Sequence, residues 1–284
     1  MKFPTLILPI ITIFLAGCVI KTEVAIPTNS DEYQLVWSDE FLCNRILSND
    51  DWGYEKGFVR NEENQWYQPD NAFCHNGNLV LEAREVDIVN PNYEESSNSW
   101  RQSRQKIKYT SASINTKGKH AWLYGRFEVR AKIPAYDGMW PAIWFLGVDG
   151  EWPSNGEIDL MEYYRGMILA NGAWGTDDRF KARWDDKKVP LTHFKDKNWA
   201  EKFHVWRMDW NEDFIKLYVD NELLNTVDLS QTINSPNSVI SNPFHQPQYL
   251  LLNLAIGGSQ GGDPSNTKFP QQYKVDYVRV YQKK

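Results

Sequence analysis

The chain has 284 residues and a formal net charge of −6. That size fits one large domain, and the acidic balance argues against nucleic acid or an anionic membrane surface as the main partner. Aromatic residues are abundant, with 13 Trp, 14 Tyr and 13 Phe. Some must fill a core, and the surplus of Trp and Tyr suits sugar binding, because aromatic faces stack on the apolar C–H surfaces of sugar rings.

The chain opens on an address. Lys2 precedes the apolar run Leu6 to Leu15, which Pro9 interrupts and which is too short to span a bilayer. It ends in Leu15-Ala16-Gly17-Cys18, which resembles a bacterial lipobox. The resemblance implies cleavage before Cys18, lipidation of Cys18 and a lipid anchor in a bacterial membrane, on the periplasmic or cell-surface side of an outer membrane. Residues 1–17 are then a lipoprotein signal peptide, 18–30 a tether and 31–284 one folded, monomeric domain. Cys43 and Cys74, 31 residues apart, are compatible with a disulfide in an oxidising compartment, contributing about 3–4 kcal/mol. Two free buried thiols fit the sequence equally well.

Period-two alternation marks many strands. Leu79, Leu81 and Ala83 share one face; Phe127, Val129 and Ala131 alternate with Glu128 and Arg130. The run Phe214 to Val219 leads into Asp220-Asn221, a hairpin signal. Leu250 to Ile256 is apolar throughout, as in a strand covered on both faces. At the end, Val275, Tyr277 and Arg279 alternate with Asp276, Val278 and Val280. Helical periodicity is scarce, so the pattern predicts an all-β antiparallel sandwich. Residues 85–108 read as a long polar insertion and 175–200 as a second polar excursion. The second holds Trp184 and Trp199, which favours a place beside a cleft.

Within this pattern, Gly156-Glu157-Ile158-Asp159-Leu160-Met161-Glu162-Tyr163 places three carboxylates in six residues of an apolar strand. Burying unpaired charge is costly, and crowded carboxylates push their pKa values apart, separating an acid from a base. Parity puts Glu157 and Asp159 on one face and Glu162 on the other. On a plain strand Glu162 is then a surface charge on the back face; one extra residue, a β-bulge near Leu160-Met161, would return it to the shared face. Two glutamates leaning inward then reach about 5–6 Å, the carboxyl separation of a retaining glycosidase.

The surrounding segments carry a resemblance. Trp37 to Phe41, Tyr124 to Arg130, Met139 to Trp144, Leu252 to Gly258 and Val275 to Tyr281, together with the acidic triplet, resemble glycoside hydrolase family 16 over about residues 33–282, in its laminarinase-like, bulged ExDxxE form. The resemblance implies a β-jelly-roll (concanavalin A-like) sandwich with a sugar cleft across its concave sheet. It implies Glu157 as nucleophile, Glu162 as acid/base and Asp159 as their mediator. Trp140 and Trp144, on one face of their strand, are candidate sugar platforms, and Trp152, on the preceding turn, is another. Asn61 resembles a residue that hydrogen-bonds a sugar on the non-reducing side, and Arg126 contacts sugar hydroxyls or pairs with an acid. Two departures from common laminarinases stand out. Ala170-Asn171-Gly172-Ala173-Trp174 replaces a Thr-x-His segment, leaving Asn171 or Trp174 to contact sugar, and Ser259-Gln260 follows the Gly-Gly pair where Trp is usual.

The family also implies a structural calcium near Asp276, with backbone oxygens around Glu40 and Gly77; catalysis needs no cofactor. His75, His120, His193, His204 and His245 show no metal-ligand spacing. The expected activity is endo-acting, retaining cleavage of a polysaccharide, a β-1,3- or mixed-linkage β-1,3/1,4-glucan. The alternatives are an endo-β-galactosidase on galactan, agar-type or mucin-type glycans, and a carbohydrate-binding lipoprotein without catalysis. The intact triplet argues against the last.

Overall fold

The computed structural model describes residues 32–43 and 46–284; Cys18, the signal peptide and the tether lie outside them. Among these residues the strands form two sheets, one of ten strands and one of seven. No described helix is long and apolar enough to cross a membrane. The sandwich expected from alternation is present.

The seven-stranded sheet carries the acidic triplet. Its order is Ala182–Pro190, Met167–Gly175, Glu157–Tyr164, Met139–Gly147, Gln248–Ile256, Ser113–Asn115 and Gly53–Tyr54. Gly125–Lys132, His204–Trp210 and Gln271–Lys283 belong to the opposite, ten-stranded sheet. The core lies between the sheets. Phe127, Val129 and Ala131 meet Ile143, Phe145, Ile158 and Leu160 there, with Leu250, Leu252, Leu254 and Ile256 from the apolar run. The other face of that run also packs: Tyr249 and Leu251 join Ala142 and Trp144 in a small cluster under the cleft. Trp52, Trp206 and Trp210 are fully buried in the core, accounting for part of the aromatic surplus.

Several expectations need correction. Residues 85–108 are not a long loop. Asn78–Val89 and Lys106–Ser111 pair as an extended hairpin, closed by a turn and the short helix Trp100–Ser103. The 175–200 excursion contains an edge strand, Ala182–Pro190, paired to Met167–Gly175. The last strand does not alternate strictly. Its register slips between Val275 and Tyr277, so Tyr273 and Val275 face the core before the slip and Val278 and Val280 after it. Cys43 and Cys74 are disulfide-bonded with Cα atoms 5.8 Å apart, within the usual range.

Candidate active site

The strand Glu157–Tyr164 is slipped at one point. Asp159 pairs with Trp144 on one side, but Met161, not Leu160, pairs with the next residue, Ile143. On the other side Asp159 pairs with Asn171 and Glu162 with Leu169. One residue is therefore extra on the acidic strand, which returns Glu162 to the face of Glu157 and Asp159, and both Leu160 and Met161 turn into the core.

The ladders lay the floor out as a grid. One row reads Trp184, Ala173, Glu157, Leu146, Tyr249. The next reads Asp186, Asn171, Asp159, Trp144, Leu251. The third reads Lys188, Leu169, Glu162, Ala142, Asn253. Above them opens a cavity of 670 Å³ that runs from Arg60, Asn61 and Glu63 on one bank to Trp184, Asp186 and Lys188 on the other.

Each carboxyl has its own holder. The Trp152 indole N–H donates to Glu157 Oε2 at 2.5 Å, and the Trp140 indole N–H donates to Glu162 Oε1 at 2.8 Å. Asn171 Nδ2 lies 3.3 Å from both Asp159 Oδ2 and Glu162 Oε2. Burial, then the charges of Glu162 and Glu157, hold the Asp159 carboxyl well above the usual carboxylate range. Its interaction with Glu157 raises Asp159 further and lowers Glu157. Burial also raises Glu157, opposed by the Trp152 N–H, by Asp159 and by the Arg60 charge. Burial, reinforced by the Glu157 charge against the Trp140 N–H, pushes Glu162 up to about 7. Near neutral pH this arrangement can supply an ionised carboxylate and a protonated carboxyl side by side.

Trp140 and Trp144 both line the cavity, but each is mostly buried. The Trp144 N–H donates to Asn253 Oδ1 at 2.7 Å, and the Arg60 guanidinium lies 4.9 Å from its ring centroid. Asn253 Nδ2 donates in turn to the Tyr67 hydroxyl, which donates to Glu63 Oε2. Asn61 Nδ2 reaches Glu63 Oε1 at 3.3 Å, so the bank carrying Asn61 is one connected network. Gly258, at φ +69, lets this bank approach: a Cβ there would sit 2.6 Å from the Asn61 carbonyl.

Asn61, Trp140, Trp144, Trp152 and Asn171 thus meet at the cleft; two expected residues do not. Arg126 projects from the opposite sheet and forms a two-point ion pair with Asp209, at 2.6 and 3.0 Å, so its acid-pairing alternative is the one realised. Trp174 lies in the core between the sheets. Asn171 and Ala173 occupy the cleft face, and the pleat turns Trp174 to the other. Trp199 is also in the core, stacked 4.1 Å from Phe194. Asp276 is buried in the ten-stranded sheet with Arg130 Nη1 at 2.7 Å. No group of three or more His, Cys, Asp or Glu side chains suited to a metal occurs among the described residues.

The sequence did not single out Arg60, Glu63, Tyr164, Asp186, Lys188 and Asn253, which also line the cavity. Only Asn253 carried a signal, as a polar residue inside an otherwise apolar strand.

Comparison with known proteins agrees with this geometry. The model of glycosyl hydrolases family 16 matches residues 60–279. A β-glucanase of Rhodothermus marinus is 33% identical over 95% of this chain and 93% of its own length. The laminarinase catalytic domain from Thermotoga maritima superposes with a TM-score of 0.72 at 31% identity, over 88% of this chain and 98% of its own. A structure from work on endo-acting O-glycanases of the human gut microbiota that initiate mucin breakdown superposes with a TM-score of 0.79. It is 35% identical over 89% of this chain and 91% of its own. The chain belongs to glycosyl hydrolase family 16, enzymes of O-glycosyl bond hydrolysis.

Proposed function

We propose that the protein is an endo-acting, retaining β-glycoside hydrolase of polysaccharides, with a β-1,3- or mixed-linkage β-1,3/1,4-glucan as first substrate class. The observation that carries this reading is the register slip at Leu160-Met161, which gathers Glu157, Asp159 and Glu162 on one floor. It also supports placing the chain in the bulged ExDxxE subgroup. Glu157 attacks the anomeric carbon as the glycosidic C–O bond breaks, and Glu162 gives its proton to the leaving oxygen. Glu162 then takes a proton from water, whose oxygen displaces the Glu157 carboxylate and restores both groups. Asp159 hydrogen-bonds Glu157 and steadies it. A cavity running from Asn61 to Lys188 across the sheet suits the interior of a chain, hence endo action.

A second substrate reading, an endo-β-galactosidase on galactan, agar-type or mucin-type glycans, has its own support. The O-glycanase structure superposes better than the laminarinase domain, 0.79 against 0.72. The cleft also departs from the common laminarinase pattern at Asn171, Ala173, Ser259 and Gln260, of which Asn171, Ser259 and Gln260 line it. Product analysis on laminarin, mixed-linkage glucan, an agar-type galactan and mucin glycans separates the two. Release of reducing ends from a glucan supports the first reading and release only from galactose-containing glycans the second. Binding without release on all four would leave a carbohydrate-binding protein.

Three further assignments rest on sequence. Cys18 carries a lipid that anchors the protein to a bacterial membrane, after removal of residues 1–17 and with 18–30 as tether. Residues 31–284 act as one monomeric catalytic domain. A structural calcium sits beside Asp276. The pairings Asp39–Val278 and Leu79–Val275 bring the chain near Glu40 and Gly77 to the two flanks of this strand. The buried Asp276 carboxylate, which also takes Arg130 at 2.7 Å, would with backbone oxygens form a donor set of the kind that suits a hard cation. Its role is stability, and it takes no part in the reaction.

A further inference from the structure

Asn171 is nearly fully buried, with 3% of its surface exposed, and lies directly across the ladder from Asp159. Its Oδ1 accepts the backbone N–H of Lys187, from the next strand, at 3.3 Å. Turning the amide over would set N–H against N–H, so that bond orients the side chain. Both amide hydrogens then point at carboxyls, one toward Asp159 Oδ2 and one toward Glu162 Oε2. Glu162 thereby has a donor on each oxygen, Trp140 on one and Asn171 on the other.

We propose that Asn171 is a positioning residue for hydrolysis: an amide clamp, locked by the edge strand, that fixes the spacing of Asp159 and Glu162 and stabilises Glu162 once it has given up its proton. The inference rests on the acid/base reading of Glu162. An amide does not ionise in the working pH range, so as a hydrogen-bond donor it favours the charged form of the carboxyl it donates to. The groups facing Glu162 otherwise balance poorly. Glu157, Asp159 and Tyr164 come from its own strand, Arg60 and Glu63 from the loop bank, Asp186 and Lys188 from the edge strand. Without the clamp, burial and like charges would bind the proton of Glu162 more tightly and slow its transfer.

The test is Asn171→Leu, read in two ways. On a cleaved polysaccharide, kcat should fall about 10-fold while KM changes less than about twofold, and the alkaline limb of kcat/KM should move up by about 0.5–1 pH unit. Carboxyl ¹³C NMR of the free enzyme should show the Glu162 titration moving the same way. An unmoved titration with a raised KM would overturn the clamp and leave Asn171 a sugar contact. If the leucine variant does not fold, Asn171→Ser keeps one donor and should give a smaller shift in the same direction; no shift there overturns the proposal too. Should the wild type cleave no polysaccharide, the acid/base reading fails on its own, while a moved titration still supports the clamp.

Discussion

The two banks of the cleft are built on opposite plans. The bank carrying Arg60, Asn61 and Glu63 is held from behind by the 85–108 hairpin. Arg101 donates to the Phe58 carbonyl at 3.0 Å and to that of Val59; Arg104 donates to the Glu62 carbonyl at 2.6 Å and to that of Glu63. These bonds hold Asn61 and Glu62 in left-handed conformations, at φ +54 and +51, which non-glycine residues adopt at a cost. In front, Asn64 donates to the Ile256 carbonyl and Ser259 to that of Asn61, both at 2.8 Å. The opposite bank is an edge strand with one neighbour in its sheet. Its Trp184 is 46% exposed, and its Asp186–Lys188 pair, at 3.6 Å, is half exposed and worth little. The difference teaches where order has been invested. A bank fixed before substrate arrives lowers the entropic cost of holding a sugar against the carboxylates. An open edge imposes few demands on whatever extends past them.

The largest effect belongs to the strand between the banks. Glu157→Gln should lower kcat by at least about 10⁴-fold, because a neutral amide cannot attack carbon. Tm and binding of an oligosaccharide should stay close to wild type, since the isostere fills the same space. Near-normal turnover would remove Glu157 from its role.

Next comes the pinned bank. Arg104→Ala deletes two charge-assisted bonds to the left-handed turn, each worth about 1.5–3 kcal/mol. It should cut kcat/KM about 10–100-fold and lower Tm by several degrees. If activity survives while Tm falls, the hairpin supports the fold but not the geometry of the bank.

The open bank should respond less. Trp184→Ala should reduce kcat/KM about 3–10-fold on a polysaccharide, the scale of one lost aromatic contact. It should leave unchanged the hydrolysis of a short substrate that ends at the cleaved bond. Equal losses on both would mean that Trp184 acts on the carboxylates instead of on the extended chain.

The smallest effect is on stability. Glu162 is raised to about 7 in the folded protein, above its unfolded value. The folded state thus binds the proton more tightly, and stability is lost as pH rises through the folded pKa. Glu162→Gln should therefore raise Tm by about 2–4 °C at pH 8, on the order of 1 kcal/mol, and have little effect at pH 4. Scanning calorimetry of both proteins at the two pH values checks the sign. An equal gain at both would assign the effect to packing.

Alternation within single strands was legible, because side-chain parity is a local property; the bulge became an expectation only through the resemblance carried by the surrounding segments. The errors lie where a second element decides. Arg126 does face away from the core, as its alternation with Phe127 predicts, but only the pairing of its strand with His204–Trp210 and Gln271–Lys283 shows that it faces away on the wrong sheet. Trp174 was open to exclusion from sequence, since a residue three beyond Asn171 falls on the other side of the pleat. The 85–108 segment looked like a polar loop because its work is done by arginines reaching backbone carbonyls about forty residues away, and composition does not record that.

By itself the sequence determined the strand pattern, the crowding of three carboxylates on one strand and the aromatic stock for a core and a cleft. These follow from a repeat of two residues and the cost of burying charge. Only the tertiary structure decided which tryptophan holds which glutamate, that Asn171 spans Asp159 and Glu162, and that one bank is pinned while the other is an open edge. Those properties depend on which distant segments bring donors, charges and cover to the same few ångströms.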